Sequence, residues 1–121
     1  MITVRGLVHQ YPQTDKAAVK DISFNIEKGQ IFGFLGPSGA GKSTVQNILI
    51  KLLPLQKGEV LYNAKNLNQL GRDFFNELGV SFEHPNLFLK LTGLENLKFH
   101  AGLYEGETEN PEKILELVGL E

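Results

Sequence analysis

Nine residues, Gly36 to Thr44 in the order GPSGAGKST, constrain this 121-residue chain more than any other stretch. Gly36 to Ser43 satisfy the spacing G-x-x-x-x-G-K-[ST], a pattern with mechanical meaning where a buried strand precedes it and a helix follows. The sequence predicts both flanks. IFGFL at 31–35 is a continuous apolar run of the kind buried on both faces of a sheet, with Gly33 permitting close backbone approach. After the loop, Val45, Ile48, Leu49, Leu52 and Leu53 recur at helical spacing, and Pro54 ends the run. Small residues in such a turn let the backbone N–H groups of Ser38, Gly39, Ala40, Gly41, Lys42 and Ser43 converge on an anion, and the helix N-terminus adds partial positive charge. Lys42 would then set its ammonium against the β- and γ-phosphates of a nucleoside triphosphate. The Ser43 hydroxyl would take one position on Mg²⁺, and Thr44 would support the α-phosphate side.

Composition narrows the alternatives. The chain is 41% hydrophobic, which suits a packed core of one domain. A formal net charge of -2, from 12 basic and 14 acidic residues, provides no broad field for nucleic acid, and no nucleic-acid partner is expected. The absence of cysteine removes disulfides, thiolate metal sites and cysteine nucleophiles together. The start, MITVRGLVHQ, is not a signal peptide. The apolar runs fall far short of the roughly 20 residues that cross a bilayer, so direct membrane insertion is not expected. His9, His84 and His100 are scattered without metal-ligand spacing and read as surface or structural residues.

The remaining elements follow from periodicity and caps. Ile22, Phe24 and Ile26 alternate with polar residues, the pattern of a half-buried antiparallel strand, and EKGQ supplies the turn after it. GEVLY at 58–62 predicts a short strand, RDFFNELG a helical turn or two capped by Gly79, and VSF at 80–82 another strand. Thr92 and Glu95 form a capping box before Leu94, Leu97, Ala101 and Tyr104, which share a helical face. A further helix opens with Asn110 as cap and Pro111 at its first position, lined by Ile114, Leu117 and Val118 and stopped by Gly119.

Three segments taken together, LVHQYP, AVKDISFNIEKGQIFGFLGPSGAGKST and LGVSFEHPNLFLKLTGLENLKFHAGLY, resemble the ATP-binding subunits of ABC transporters along essentially the whole chain. The resemblance implies an α/β fold, a P-loop NTPase of ABC type. It would have an antiparallel β portion and P-loop core over 1–83, then a Q-loop region and the start of a helical subdomain over 84–121. It implies ATP and Mg²⁺ as cofactors. Tyr11 stands where the family stacks an aromatic ring on adenine, a use that suits a flat side chain, and Val19 would add an apolar contact beside it. Glu83 occupies the place of a family glutamine that contacts Mg²⁺ or the attacking water. A carboxylate is also a hard oxygen ligand, and the substitution resembles exporter ATPases.

The partners implied are a second ABC ATPase domain, forming a dimer around ATP, and a transmembrane transporter subunit that would hold the protein at the cytoplasmic side of a membrane. The family's aspartate–glutamate pair, signature loop and switch histidine have no counterpart in these residues; LVGLE at 117–121 keeps helical spacing and offers one glutamate. The expectation is the first half of such a domain, incomplete, binding Mg-ATP with no meaningful turnover by itself. Without flanking strands, IFGFL would stay exposed and make the chain prone to association. Two other functions compete: a truncated, non-hydrolysing ABC fragment that acts as an interaction module, and a soluble ABC protein without a transport role.

Overall fold

A computed structural model describes residues 1–120, which divide into a first unit, Met1–Gly71, and a second beginning at Arg72. The first unit holds the strands β1 (Ile2–His9), β2 (Val19–Ile26), β3 (Lys57–Tyr62) and β4 (Lys65–Asn66) in one antiparallel sheet of order β2-β1-β3-β4. The central strand β1 pairs Val4 with Phe24 on one side and with Val60 on the other. Alternation along β1 breaks at Gly6, whose φ of +57° makes a bulge: Val4 and Leu7 are both buried although three residues apart. In β2 the expected alternation holds, with Ile22, Phe24 and Ile26 half-buried and the residues between them exposed. The EKGQ turn follows, closed by the Gln30 N–H donating to the Glu27 carbonyl at 3.2 Å.

The segment 31–35 is not a strand, contrary to its apolar run. A strand exists through its neighbours, and among the described residues none pairs with it. Phe32 and Phe34 instead pack on Phe24 of β2, with ring centroids 5.1 and 5.2 Å away, while Ile31 and Leu35 stay 100% and 98% exposed. Gly33 makes no close approach either, since a Cβ added there would meet nothing within 4 Å.

Helix α1 spans Lys42–Leu49 and is shorter than the apolar spacing predicts. Lys51 turns left-handed at φ +62°, and the N–H groups of Leu52 and Leu53 fold back to the Asn47 carbonyl at 2.8 and 3.0 Å. This closing motif leaves Leu52 exposed. The Lys51 ammonium secures the bend by donating to the Leu70 carbonyl at 2.6 Å. Thr44, Val45, Ile48 and Leu49 are the buried face of α1. Full burial of side chains such as Leu7 and Ile48 contributes about 1.5–3 kcal/mol each. The Tyr62 hydroxyl of β3 donates to the Leu49 carbonyl at 2.8 Å, and burial pushes its pKa up to about 12.

In the second unit, a 3₁₀ segment at Arg72–Glu77 buries Phe74, α2 spans Gly93–Ala101 and α3 spans Pro111–Leu117. Residues 80–82 form no strand, and Val80 and Phe82 are exposed for the same want of a partner. The capping box is present: the Glu95 N–H donates to Thr92 Oγ1 at 3.2 Å and the Thr92 N–H to Glu95 Oε2 at 2.8 Å. Asn96, which the periodicity did not single out, is the buried residue of α2. Its side-chain carbonyl accepts from the Phe88 N–H at 2.8 Å and its amide donates to the carbonyls of Phe88, Leu91 and Thr92, fixing residues 88–92 to the helix. Tyr104 lies past the end of α2, and its hydroxyl donates to the Leu78 carbonyl at 2.8 Å. For α3, Asn110 caps and Pro111 leads as expected, but Ile114 and Leu115 form the covered side, while Leu117 and Val118 are exposed. Of the LVGLE stretch, Glu121 lies outside the described residues. Among those residues no helix is long and apolar enough to cross a membrane.

The hydrogen bonds from Thr92 hold the Glu95 carboxyl below its ordinary range. A lowered folded-state pKa means that this cap contributes fully above the unfolded-state pKa and is lost as pH falls through the folded value. Helicity of α2 is therefore expected to fray as acid is added through the carboxylate range. Glu95→Gln should flatten that acid limb in circular dichroism, and an unchanged limb would contradict the assignment.

Candidate phosphate-binding site

The loop 36–41 joins the irregular 31–35 segment to α1, so its shape rests on its own backbone and on β2. Gly41 is the N-cap of α1, at φ +90° and ψ 8°, and no side chain caps the helix there. The first N–H groups of a helix have no intrahelical partner, which leaves those at the start of α1 pointing out of its end. A Cβ at Gly41 would lie 2.3 Å from the Ala18 carbonyl oxygen, so the loop runs directly against the entrance to β2. Gly39 is also left-handed, at φ +81°. The loop does not offer every expected donor, because the Ala40 N–H is spent on the Pro37 carbonyl at 3.2 Å.

Beside this turn is a cleft of about 420 Å³ lined by Val19, Lys20, Phe34, Gly39, Gly41 and Lys42, among others. Val19, Gly39, Ala40, Gly41 and Lys42 all line this one cleft. The Lys42 ammonium folds back across the loop and donates to the carbonyls of Gly36 and Pro37 at 2.7 and 2.8 Å. Its charge is held at the mouth of the turn, where an anion would be met by helix N–H groups as well. Ser38 and Ser43 are exposed at the surface. Lys20, a second cation on the cleft wall, was not singled out by the motif, because it lies on β2 and joins the site only through folding.

Tyr11 sits in the connection between β1 and β2. Its hydroxyl shares a hydrogen bond of 3.1 Å with Thr44 Oγ1 on the first turn of α1. Thr44 is 7% exposed, so its side chain faces Tyr11 rather than open solvent. His9 proves to be buried, 2% exposed, with its ring edge-on to Tyr11 at 4.9 Å. Its Nδ1 has no hydrogen-bond partner, so that nitrogen does not hold the ring in place. Glu83 belongs to the second unit, where it is exposed in an irregular stretch. No group of three or more acidic or histidine side chains suited to a metal occurs among the described residues. The Ser43 hydroxyl, exposed on the first turn of α1, is a hard oxygen donor of the kind a small divalent cation accepts beside phosphate oxygens and water.

The chain is similar to several known proteins. The fluoroquinolones export ATP-binding protein of Mycobacterium tuberculosis is 48% identical over 120 residues, 99% of this chain and 40% of that protein. The bacitracin transport ATP-binding protein of Enterococcus faecalis is 34% identical over 121 residues, 99% of this chain and 39% of that one. The chain thus spans about two fifths of the length of these relatives. Among solved structures, a dimeric ATP-binding cassette in a post-hydrolysis state with ADP and Pi superposes with a TM-score of 0.76 at 30% identity, over 96% of this chain and 55% of that one. The fold is accordingly that of a P-loop ATPase cassette, covered in part. A family profile described as ABC transporter matches residues 19–121, from the start of β2 through the phosphate loop and both helices of the second unit, and the chain belongs to that family.

Proposed function

We propose that this chain is the ATP-binding portion of an ABC transporter ATPase. The observation that carries the reading is the left-handed, sterically closed turn at Gly41, with Lys42 folded across it and Tyr11 joined to the same helix through Thr44. The triphosphate would lie against the N–H groups of Gly39, Gly41, Lys42 and Ser43 and the Lys42 ammonium. Adenine would stack on Tyr11, with Val19 as the apolar wall. Mg²⁺ would be held by the Ser43 hydroxyl, and when bound it neutralises phosphate charge. Ser43 is exposed on the first turn of α1 and free to reach such an ion. In the whole protein a second cassette would close over ATP, and a transmembrane subunit would take up the work at the cytoplasmic side of a membrane. The dimeric state of the solved cassette supports that partner. The 48% identity to a protein named for export supports export as the direction.

Titration of a non-hydrolysable ATP analogue, with and without Mg²⁺, tests the proposal. Removing the stacking ring in Tyr11→Ala should weaken binding about fivefold to a hundredfold, because stacking contributes about 1–3 kcal/mol per base. Ser43→Ala should abolish most of the gain from Mg²⁺. Affinity unmoved by either change would reject the site.

A further inference from the structure

The hydrogen bond between the hydroxyls of Tyr11 and Thr44 joins two parts of the site that the motif treats as separate. We propose that Thr44 is a positioning residue for the nucleotide base: its side chain registers the Tyr11 ring against the phosphate loop, two residues beyond Lys42. The inference rests on the ATP-binding reading above and deepens it.

The surroundings of Tyr11 support the assignment. Its connecting loop is pinned on both sides. The Gln10 N–H donates to Gln56 Oε1 at 2.8 Å, Gln56 Nε2 donates back to the Gln10 carbonyl at 3.0 Å, and the Ala18 N–H donates to the His9 carbonyl at 2.8 Å. Past the ring, the Thr14 N–H and hydroxyl both donate to the Tyr11 carbonyl, at 3.1 and 3.0 Å. The backbone is thereby held, and His9 packs against the ring in a T-shaped pair. The hydroxyl remains, and Thr44 takes it up. A ring fixed in this way loses little freedom when a base stacks on it, which is how a preorganised contact raises affinity. Because Thr44 is buried on α1 and its hydroxyl is bonded to Tyr11, the distance from base platform to phosphate loop is set within the protein before the ligand arrives.

A double-mutant cycle on the full chain reads this directly, with ATP analogue and inorganic tripolyphosphate as the two ligands. Tyr11→Phe and Thr44→Val should each weaken analogue binding about three- to tenfold, the range for one lost neutral hydrogen bond. The double variant should be no weaker than either single one, since both remove the same bond. Thr44→Ser, which keeps the hydroxyl, should restore most of the affinity. Tripolyphosphate has no base, so the cycle measured with it should show no such coupling. Additive losses in the cycle, or equal coupling with both ligands, would overturn the positioning role while leaving the ATP site intact. Failure of Lys42→Ala to weaken either ligand would instead overturn the ATP-binding reading, and the positioning role with it.

Discussion

Alanine at position 41 is expected to remove detectable ATP binding and to destabilise the first unit by at least about 3 kcal/mol. The backbone there is left-handed at φ +90°, a region that costs an L-residue about 1–2 kcal/mol. The larger part of the effect is steric. The new methyl would stand 2.3 Å from the Ala18 carbonyl oxygen and 3.3 Å from Val19 Cγ2, and the first of these is backbone that cannot rotate away. Relief requires moving Ala18, whose N–H pairs with the His9 carbonyl at 2.8 Å, so the strain passes into the β1–β2 pairing and the loop that carries Tyr11. Gly39→Ala is the control: it shares a positive φ of +81° but meets nothing within 4 Å, and should cost only about 1 kcal/mol. Urea melts beside calorimetric ATP titrations check the pair. Equal effects at 39 and 41 would show that backbone conformation, not the contact with Ala18, governs the loop.

Most of the site was legible in the residues because its parts are local. The phosphate loop is one uninterrupted stretch, recognisable from its residue spacing alone. The caps at Thr92 and Asn110 were legible for the same reason, since a capping side chain acts within three residues of itself. What depends on distant partners was not. IFGFL and VSF have strand composition, yet a strand needs a hydrogen-bonded neighbour, and neither has one among the described residues. The Gly6 bulge hid β1 by setting its buried residues at Val4 and Leu7, out of step with a period of two. The exchange between Gln10 and Gln56 joins residues 46 apart in sequence, and the bond from Tyr11 to Thr44 joins residues 33 apart. No local pattern announces either one. His9 read from the sequence as surface or structural, and its burial against Tyr11, which follows from the sheet, decides for structural.

The second large effect is expected at Lys42. Its ammonium donates to the Gly36 and Pro37 carbonyls at the mouth of the loop and lines the cleft beside Gly39 and Gly41. Removing it takes away the cation best placed for the β- and γ-phosphates, together with charge-assisted hydrogen bonds that contribute about 1.5–3 kcal/mol each. Lys42→Ala should therefore weaken ATP binding at least about tenfold. Lys42→Arg should not restore it, because a planar guanidinium does not reproduce the compact point charge of an ammonium. Fold stability should change little, as the Lys42 side chain is only part-buried and its acceptors can turn to water.

The most direct test of the central claim is a calorimetric titration of Mg²⁺ and a non-hydrolysable ATP analogue into the full chain and into Lys42→Ala. Saturable binding that falls at least about tenfold in the variant, with both proteins melting alike, is the predicted result. Equal binding in the two proteins, or no binding by either, would contradict it.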